Sequence, residues 1–162
     1  MRVVVLADTH LRTGVTSRLP ATVLSAVARA DLVLHAGDVV TGEALAELRE
    51  LNRIEAVLGN NDRGLDGVLP ETLVLDLDGV RVAIVHDSGP AAGRAVRLHR
   101  RFPDAQVVVF GHSHAPIAEP DLGGQLLFNP GSPTQRRRQA QHSFGRLVLA
   151  DGRIADVAIE PV

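Results

Sequence analysis

The chain has 162 residues, 45% of them hydrophobic and 22% charged, with a mean hydropathy of +0.10. These values fit one globular domain over residues 1–162 that buries roughly 70% of the unfolded chain's surface on folding, and they argue against a disordered or membrane-embedded chain. Seventeen basic residues, all arginine, against nineteen acidic ones give a formal net charge of −2, so no global positive field draws nucleic acid. Cysteine is absent, which excludes disulfides and thiolate metal sites. The run from Met1 to Ala7 passes straight into Asp8-Thr9-His10 without a small-residue cleavage site, and the expectation is a cytoplasmic protein.

In chain order, Val3 to Ala7 is a predicted buried strand, Thr22 to Ala30 a helix, Leu32 to His35 a strand, Glu43 to Leu51 a helix and Ile54 to Leu58 a strand. Such alternation marks βαβ units. Leu73 to Leu77 and Val80 to His86 flank Asp78-Gly79, a two-residue hairpin signal. A helix from Ala92 to Arg101 then leads to a strand from Gln106 to Phe110. From Pro116 onward only short strands are expected: near Ile117, at Gln125 to Phe128, at Phe144 to Leu149 and, after an Asp151-Gly152 turn, at Ile154 to Ile159. The architecture implied is α/β, with two packed sheets and helices outside.

The polar residues that stand out follow the predicted strands, where open α/β sheets place their ligand sites. They are Asp8-Thr9-His10, Gly37-Asp38, Gly59-Asn60-Asn61-Asp62, His86 and Gly111-His112-Ser113-His114. Together they offer only the oxygen and nitrogen donors of Asp, Asn and His, a set suited to divalent Mn, Fe or Zn. In Asp8-x-His10 and His112-x-His114 an extended backbone would send both side chains to one side. A carboxylate such as Asp38 can bridge two ions roughly 3.5 to 4 Å apart, whose repulsion otherwise goes uncompensated.

The order D-x-H, GD, GN-x-D, H, GH-x-H over residues 8 to 114 resembles the calcineurin-like metallophosphoesterase superfamily. The short length and Asn129-Pro130-Gly131-Ser132 resemble its small prokaryotic phosphodiesterase branch. The resemblance implies a four-layer α/β/β/α sandwich of two mixed sheets flanked by helices. It also implies two divalent ions, Mn first with Fe, Ni or Zn as alternatives. Asp8, His10 and His114 would hold one ion, Asn60, His86 and His112 the other, and Asp38 would bridge them. A hydroxide between the metals would attack phosphorus, with Asp38, Asn60 and His112 named as catalytic. Many members have His where this chain has Asn61, and Asn cannot deliver a proton near neutral pH, so rate and substrate choice are affected more than reaction class.

Asn61, Asp62, Asn129, Ser132 and Arg137 are the candidates for supporting the ligands or touching substrate, Asp62 as an orienter of a ligand or turn. Asn-Pro-Gly-Ser is also an ordinary turn sequence, and Arg136-Arg137-Arg138 is either a phosphate grip or a solvated loop. Arg12 and Arg63, just after ligand motifs, are weaker candidates of the same kind. His35 is either a support for the ligands or a satisfied strand histidine, and Asp87 either orders His86 or faces solvent. His99 is expected on a solvated helix face and His142 in a polar loop from which it could reach the site. Loops near 11 to 18, 63 to 70 and 132 to 142 carry no recognised pattern. The expected activity is hydrolysis of small phosphodiesters. The alternatives are a phosphomonoesterase or nucleotide pyrophosphohydrolase, and a non-catalytic scaffold like the retromer subunit of this fold. Without Trp or Tyr and with four Phe, base-stacking platforms are scarce, which argues against nucleic acid as substrate. A two-fold homodimer is the base-rate expectation.

Overall fold

The computed structural model describes residues 1–162. Its elements run β1 (Arg2–Leu6), α1 (Val15–Arg18), α2 (Ala21–Arg29), β2 (Leu32–His35), α3 (Gly42–Leu51), β3 (Ile54–Ala56), β4 (Thr72–Leu77), β5 (Val80–Val85), α4 (Arg94–Arg101), β6 (Val107–Val109), β7 (Ile117–Pro120), β8 (Leu126–Asn129), β9 (Ser143–Ala150) and β10 (Arg153–Pro161). The first sheet has the order β10-β9-β1-β2-β3 and the second β4-β5-β6-β8-β7. Parallel pairs β1–β2 and β2–β3, and β5–β6 and β6–β8, sit beside antiparallel partners, so both sheets are mixed.

Strand alternation builds four layers. Val3 and Val5 of β1, Leu32 and Leu34 of β2, and Leu147 and Leu149 of β9 face Val82 and Ile84 of β5, Val107 and Val109 of β6, and Leu126 and Phe128 of β8 in one buried cluster between the sheets. The intervening residues Val4, Leu6 and Val33 point outward against Val23 and Val27 of α2 and Leu45 and Leu48 of α3. On the far side Ala83, Val85, Val108 and Leu127 pack under Leu98 of α4 and Phe102. At roughly 1.5–3 kcal/mol per fully buried aliphatic side chain, these clusters are the main stabilising term. The fold is the expected α/β/β/α sandwich, and no helix is long and apolar enough to cross a membrane.

Both expected hairpins have left-handed turn residues, with φ of 53° and 77° at Asp78-Gly79 and 52° and 73° at Asp151-Gly152. Three details differ from the sequence expectation. The loop after His10 contains a helical turn, α1, whose first amides are held by Glu47 of α3, with Gly14 N–H and Val15 N–H donating to its carboxylate at 2.8 and 2.6 Å. That cap comes from 32 residues away in sequence, beyond the reach of a local pattern. Strands β9 and β10 are eight and nine residues long, not short, because they pair with each other along most of their lengths. His99 is half-buried and not on a solvated face, since it packs against the turn at Leu122–Gly124.

Candidate metal centre

Every donor predicted from sequence lies in a turn just beyond a strand: Asp8 and His10 after β1, Asp38 after β2, Asn60 after β3, His86 after β5, His112 and His114 after β6. The backbone there is not extended as expected. Asp8, His10, Asp38, His112 and His114 all take left-handed φ, between 47° and 65°. Each such residue turns the chain sharply at a cost of order 1 kcal/mol or more, which strand packing on either side sustains. In each D-x-H or H-x-H pair both members bend inward, so the two side chains converge by another route than the one expected.

Two groups of donors result. Asp8, His10 and His114 form the first, with His10 Nε2 3.2 Å from His114 Nε2, and Asp8 Oδ1 3.3 Å from His114 Nε2 and 3.9 Å from His10 Nε2. In the second, Asn60 Oδ1 lies 2.9 Å from His86 Nε2 and 2.8 Å from His112 Nδ1. Asp38 faces both, Oδ2 at 3.6 Å from His10 Nε2 and Oδ1 at 3.5 Å from His86 Nε2.

Hydrogen bonds fix which atoms point inward. His86 Nδ1 donates to the Ala36 carbonyl at 2.7 Å, and His114 Nδ1 donates to the Gln135 carbonyl. A carbonyl only accepts, so the proton of each neutral ring sits on Nδ1 and Nε2 presents a lone pair to the other donors. Lone pairs of Asn60, His86 and Asp38 held this close repel one another unless a cation lies among them. Asp8 points the same way: it is fully buried, and neither carboxylate oxygen has a hydrogen-bond partner. An unpaired buried carboxylate is strongly disfavoured. The donor set and these unmatched charges fit divalent metal ions.

Electrostatics prepare the same state. Burial opposes ionisation of Asp38, and Asn61 offsets it by donating its backbone N–H to Oδ1 at 2.8 Å and its side-chain amide to Oδ2 at 2.6 Å. With His86 and His10 facing it as well, the carboxyl titrates below its ordinary range. Burial pushes His10 down despite Asp38 and Asp8, with the charge of Arg137 acting in the same direction as burial. His10 is therefore disposed to the neutral ring that a metal requires.

The supporting residues are resolved by their contacts. Asp62 accepts N–H bonds from Gly59, Asp38 and Val40 at 2.7, 3.2 and 2.6 Å, which hold the turn. Gly59 is needed there, because a Cβ would lie 2.1 Å from the Asp38 amide nitrogen and 2.3 Å from its Oδ1. Asn129 donates to the Gly111 carbonyl at 2.9 Å, and Ser132 donates to the Asp8 carbonyl at 2.7 Å. Both are buried and brace the backbone of the ligand segments. Arg137 donates Nη1 to the His112 carbonyl at 2.8 Å, which ties it to the site, while Arg136 donates to the Gln139 carbonyl and Arg138 is exposed.

His35 is fully buried beside Thr9, with Nε2 3.1 Å from its Oγ1. Asp87 is exposed and accepts from the Gly89 amide, so His86 is ordered by Ala36 instead. His142 lies next to the chain end, its carbonyl accepting from the Val162 amide. Thr134 was not singled out from sequence. Its hydroxyl donates to the Thr9 carbonyl at 2.6 Å, and its position two residues after Ser132 in a loop of unrecognised pattern gave only a faint signal.

Fold and donor set together define a metal-binding protein of the two-sheet sandwich class. The chain matches the sequence model of the calcineurin-like phosphoesterase superfamily domain over residues 1–152 and belongs to that family. A probable metallophosphoesterase of Methanothermobacter thermautotrophicus is 33% identical over 139 residues, covering 85% of this chain and 80% of that protein. Among solved structures, a novel archaeal phosphodiesterase superposes with a TM-score of 0.78 at 19% identity, covering 100% of both chains. Wild-type Vps29 of Entamoeba histolytica, complexed with zinc, superposes with a TM-score of 0.74 at 24% identity, covering 100% of this chain and 98% of that one. At these identities the two structures are similar in fold.

Proposed function

We propose that residues 1–162 form a single metallophosphoesterase domain that hydrolyses small phosphodiesters with two divalent ions. The observation that carries this reading is Asp38, whose two oxygens face different donor groups, at 3.6 Å from His10 and 3.5 Å from His86. A carboxylate so placed supplies the shared negative charge that two neighbouring cations need. In this reading Asp8, His10 and His114 hold one ion, Asn60, His86 and His112 the other, and Asp38 bridges. Manganese is the first choice, and Fe, Ni and Zn suit the same donors. When bound, such ions acidify water toward neutrality and neutralise charge on phosphoryl oxygens.

The chain's own residues set the rest. His86 and His114 are held by backbone carbonyls with Nε2 forward, and Asn61 keeps Asp38 ionised. Arg137, tied to the His112 carbonyl, offers a fixed cation to a phosphoryl oxygen. Asn61 has its amide committed to Asp38 and no proton to give, so substrates with acidic leaving groups are favoured. A non-catalytic scaffold would need none of the seven donors, and all seven positions carry ligating side chains.

The test is hydrolysis of bis-p-nitrophenyl phosphate and p-nitrophenyl phosphate by chelator-stripped protein with and without Mn²⁺. Metal-dependent cleavage that favours the diester is expected. Asp38→Ala should lower it about a thousandfold, the rate equivalent of the several kcal/mol that a metal centre supplies, with circular dichroism unchanged. Preference for the monoester would reassign the enzyme as a phosphomonoesterase. No turnover with Mn²⁺, Ni²⁺, Fe²⁺ or Zn²⁺ would favour the scaffold.

A further inference from the structure

Beside the metal centre is a cleft of about 200 Å³ lined by His10, Arg12, Val40, Asn61, Arg63 and Gln135. It opens on the donors through His10 and Asn61, and two of its six walls are guanidinium side chains. Their placement is built by the backbone. The His10 amide donates to the Asp38 carbonyl at 3.0 Å, Leu11 pairs with Val40, and the Arg63 amide donates to the Val40 carbonyl at 2.8 Å. Thr41 Oγ1 closes the joint by donating to the Arg12 carbonyl at 2.5 Å. The segments carrying Arg12 and Arg63 are thus fastened to the same stretch, residues 38 to 41. Val40, at the centre of that joint, has φ of 97°, a costly conformation for a β-branched residue.

Neither guanidinium has a carboxylate partner. The arginines that form ion pairs are Arg2, Arg53, Arg81 and Arg146, all elsewhere. Three acids near the cleft are committed elsewhere: Asp62 to three backbone amides, Asp38 to Asn61, Glu47 to the start of α1. Two unpaired guanidiniums sharing a polar cleft next to a site for divalent cations form a locally positive wall that suits only an anion. The planar fork of Arg matches phosphate geometry bidentately. No Phe lines the cleft and the chain has no Trp or Tyr, so it offers a nucleobase no stacking surface of that kind.

We propose that Arg12 and Arg63 form a second anion subsite, which takes a phosphate group of the substrate other than the one being cleaved. The preferred substrate is then a phosphodiester bearing a further phosphate a few bonds from the scissile one. The identity of the reaction rests on the phosphodiesterase reading above; the anion subsite itself does not.

The test compares thymidine 5′-(p-nitrophenyl phosphate) with the same compound carrying a 3′-phosphate. Scissile bond and leaving group are identical, and only the second phosphate differs. Wild-type protein with Mn²⁺ should show kcat/KM about tenfold to a hundredfold higher for the 3′-phosphorylated ester, the effect of one or two charge-assisted hydrogen bonds. The advantage should shrink as ionic strength rises. In the Arg12→Ala/Arg63→Ala double variant the ratio of the two kcat/KM values should fall to near one, a readout that a general loss of activity does not move. Equal kcat/KM for both esters in wild type, or an undiminished preference in the double variant, would overturn the proposal. If wild type cleaves neither ester, the phosphodiesterase reading fails, and the subsite is judged by binding alone. Calorimetry of chelator-stripped protein should then show thymidine 3′,5′-bisphosphate bound at least about tenfold more tightly by wild type than by the double variant, and equal affinities would refute it.

Discussion

The seven donor candidates stood out as an ordered set and not singly, because polar residues break β-branched runs where a buried strand ends and a lone motif of this kind is weak. What could not be read was how the backbone delivers them. Five of the seven are left-handed, a conformation that Asp and His visit more readily than most residues but in too few instances for the residue type to announce it. His35 shows the other side of the same difficulty. Sequence left it between two roles, and its setting decides: burial holds its ring near a pKa of about 4, against an ordinary value of 6.5. Below pH 6.5 the unfolded chain takes a proton that the folded chain refuses until about pH 4. Stability is therefore complete above that window and falls as pH drops through it, by on the order of 3 kcal/mol in all. Burial lowers His10 in the same direction, and the depressed Asp38 adds its own loss only further into acid. Urea unfolding of chelator-stripped protein between pH 7.5 and 5 should show the midpoint declining, with a shallower decline in His35→Asn. Parallel profiles for the two proteins would show that His35 does not carry the effect.

The element that sequence undervalued is the segment from Asn129 to Arg137. Asn-Pro-Gly-Ser announced a turn, which it is, but its contacts are long-range and local pattern holds no trace of them. Ser132 holds Asp8 and Thr134 holds Thr9, across more than a hundred residues. Gln135 fixes the His114 ring and Arg137 grips the His112 carbonyl. One strap thus joins the D-x-H motif after β1 to the H-x-H motif after β6, which belong to different sheets. Ser132→Ala removes the bond to the Asp8 carbonyl and the acceptor for two strap amides, at Thr134 and Gln135. Loss of such an outer partner lowers metal affinity about tenfold to a hundredfold, which competition with a fluorescent chelator would measure. Unchanged affinity would mean that the strap is decoration.

Across the whole molecule, the element pattern pointed to two packed sheets with helices outside and the resemblance implied four layers; strand alternation builds them, Val3 and Val5 facing opposite to Val4 and Leu6. The order of the second sheet did not follow, since β7 and β8 have four residues each and the hairpin they form could have joined either edge. The assembled sandwich brings strand ends of both sheets together around Asp38, and each donor group draws on both sheets, Asp8 and His10 with His114 in one, Asn60 with His86 and His112 in the other. In the proposed reading this junction binds two divalent ions with Asp38 between them. Its most direct measurement is the Mn²⁺ stoichiometry of chelator-stripped protein by titration calorimetry, followed by thermal unfolding of the loaded form. Two ions per chain, with Tm raised by the linkage between binding and folding, is the expected result, and Asp38→Ala should bind fewer. A stoichiometry of one that Asp38→Ala leaves unaltered would mean that Asp38 does not join two ions.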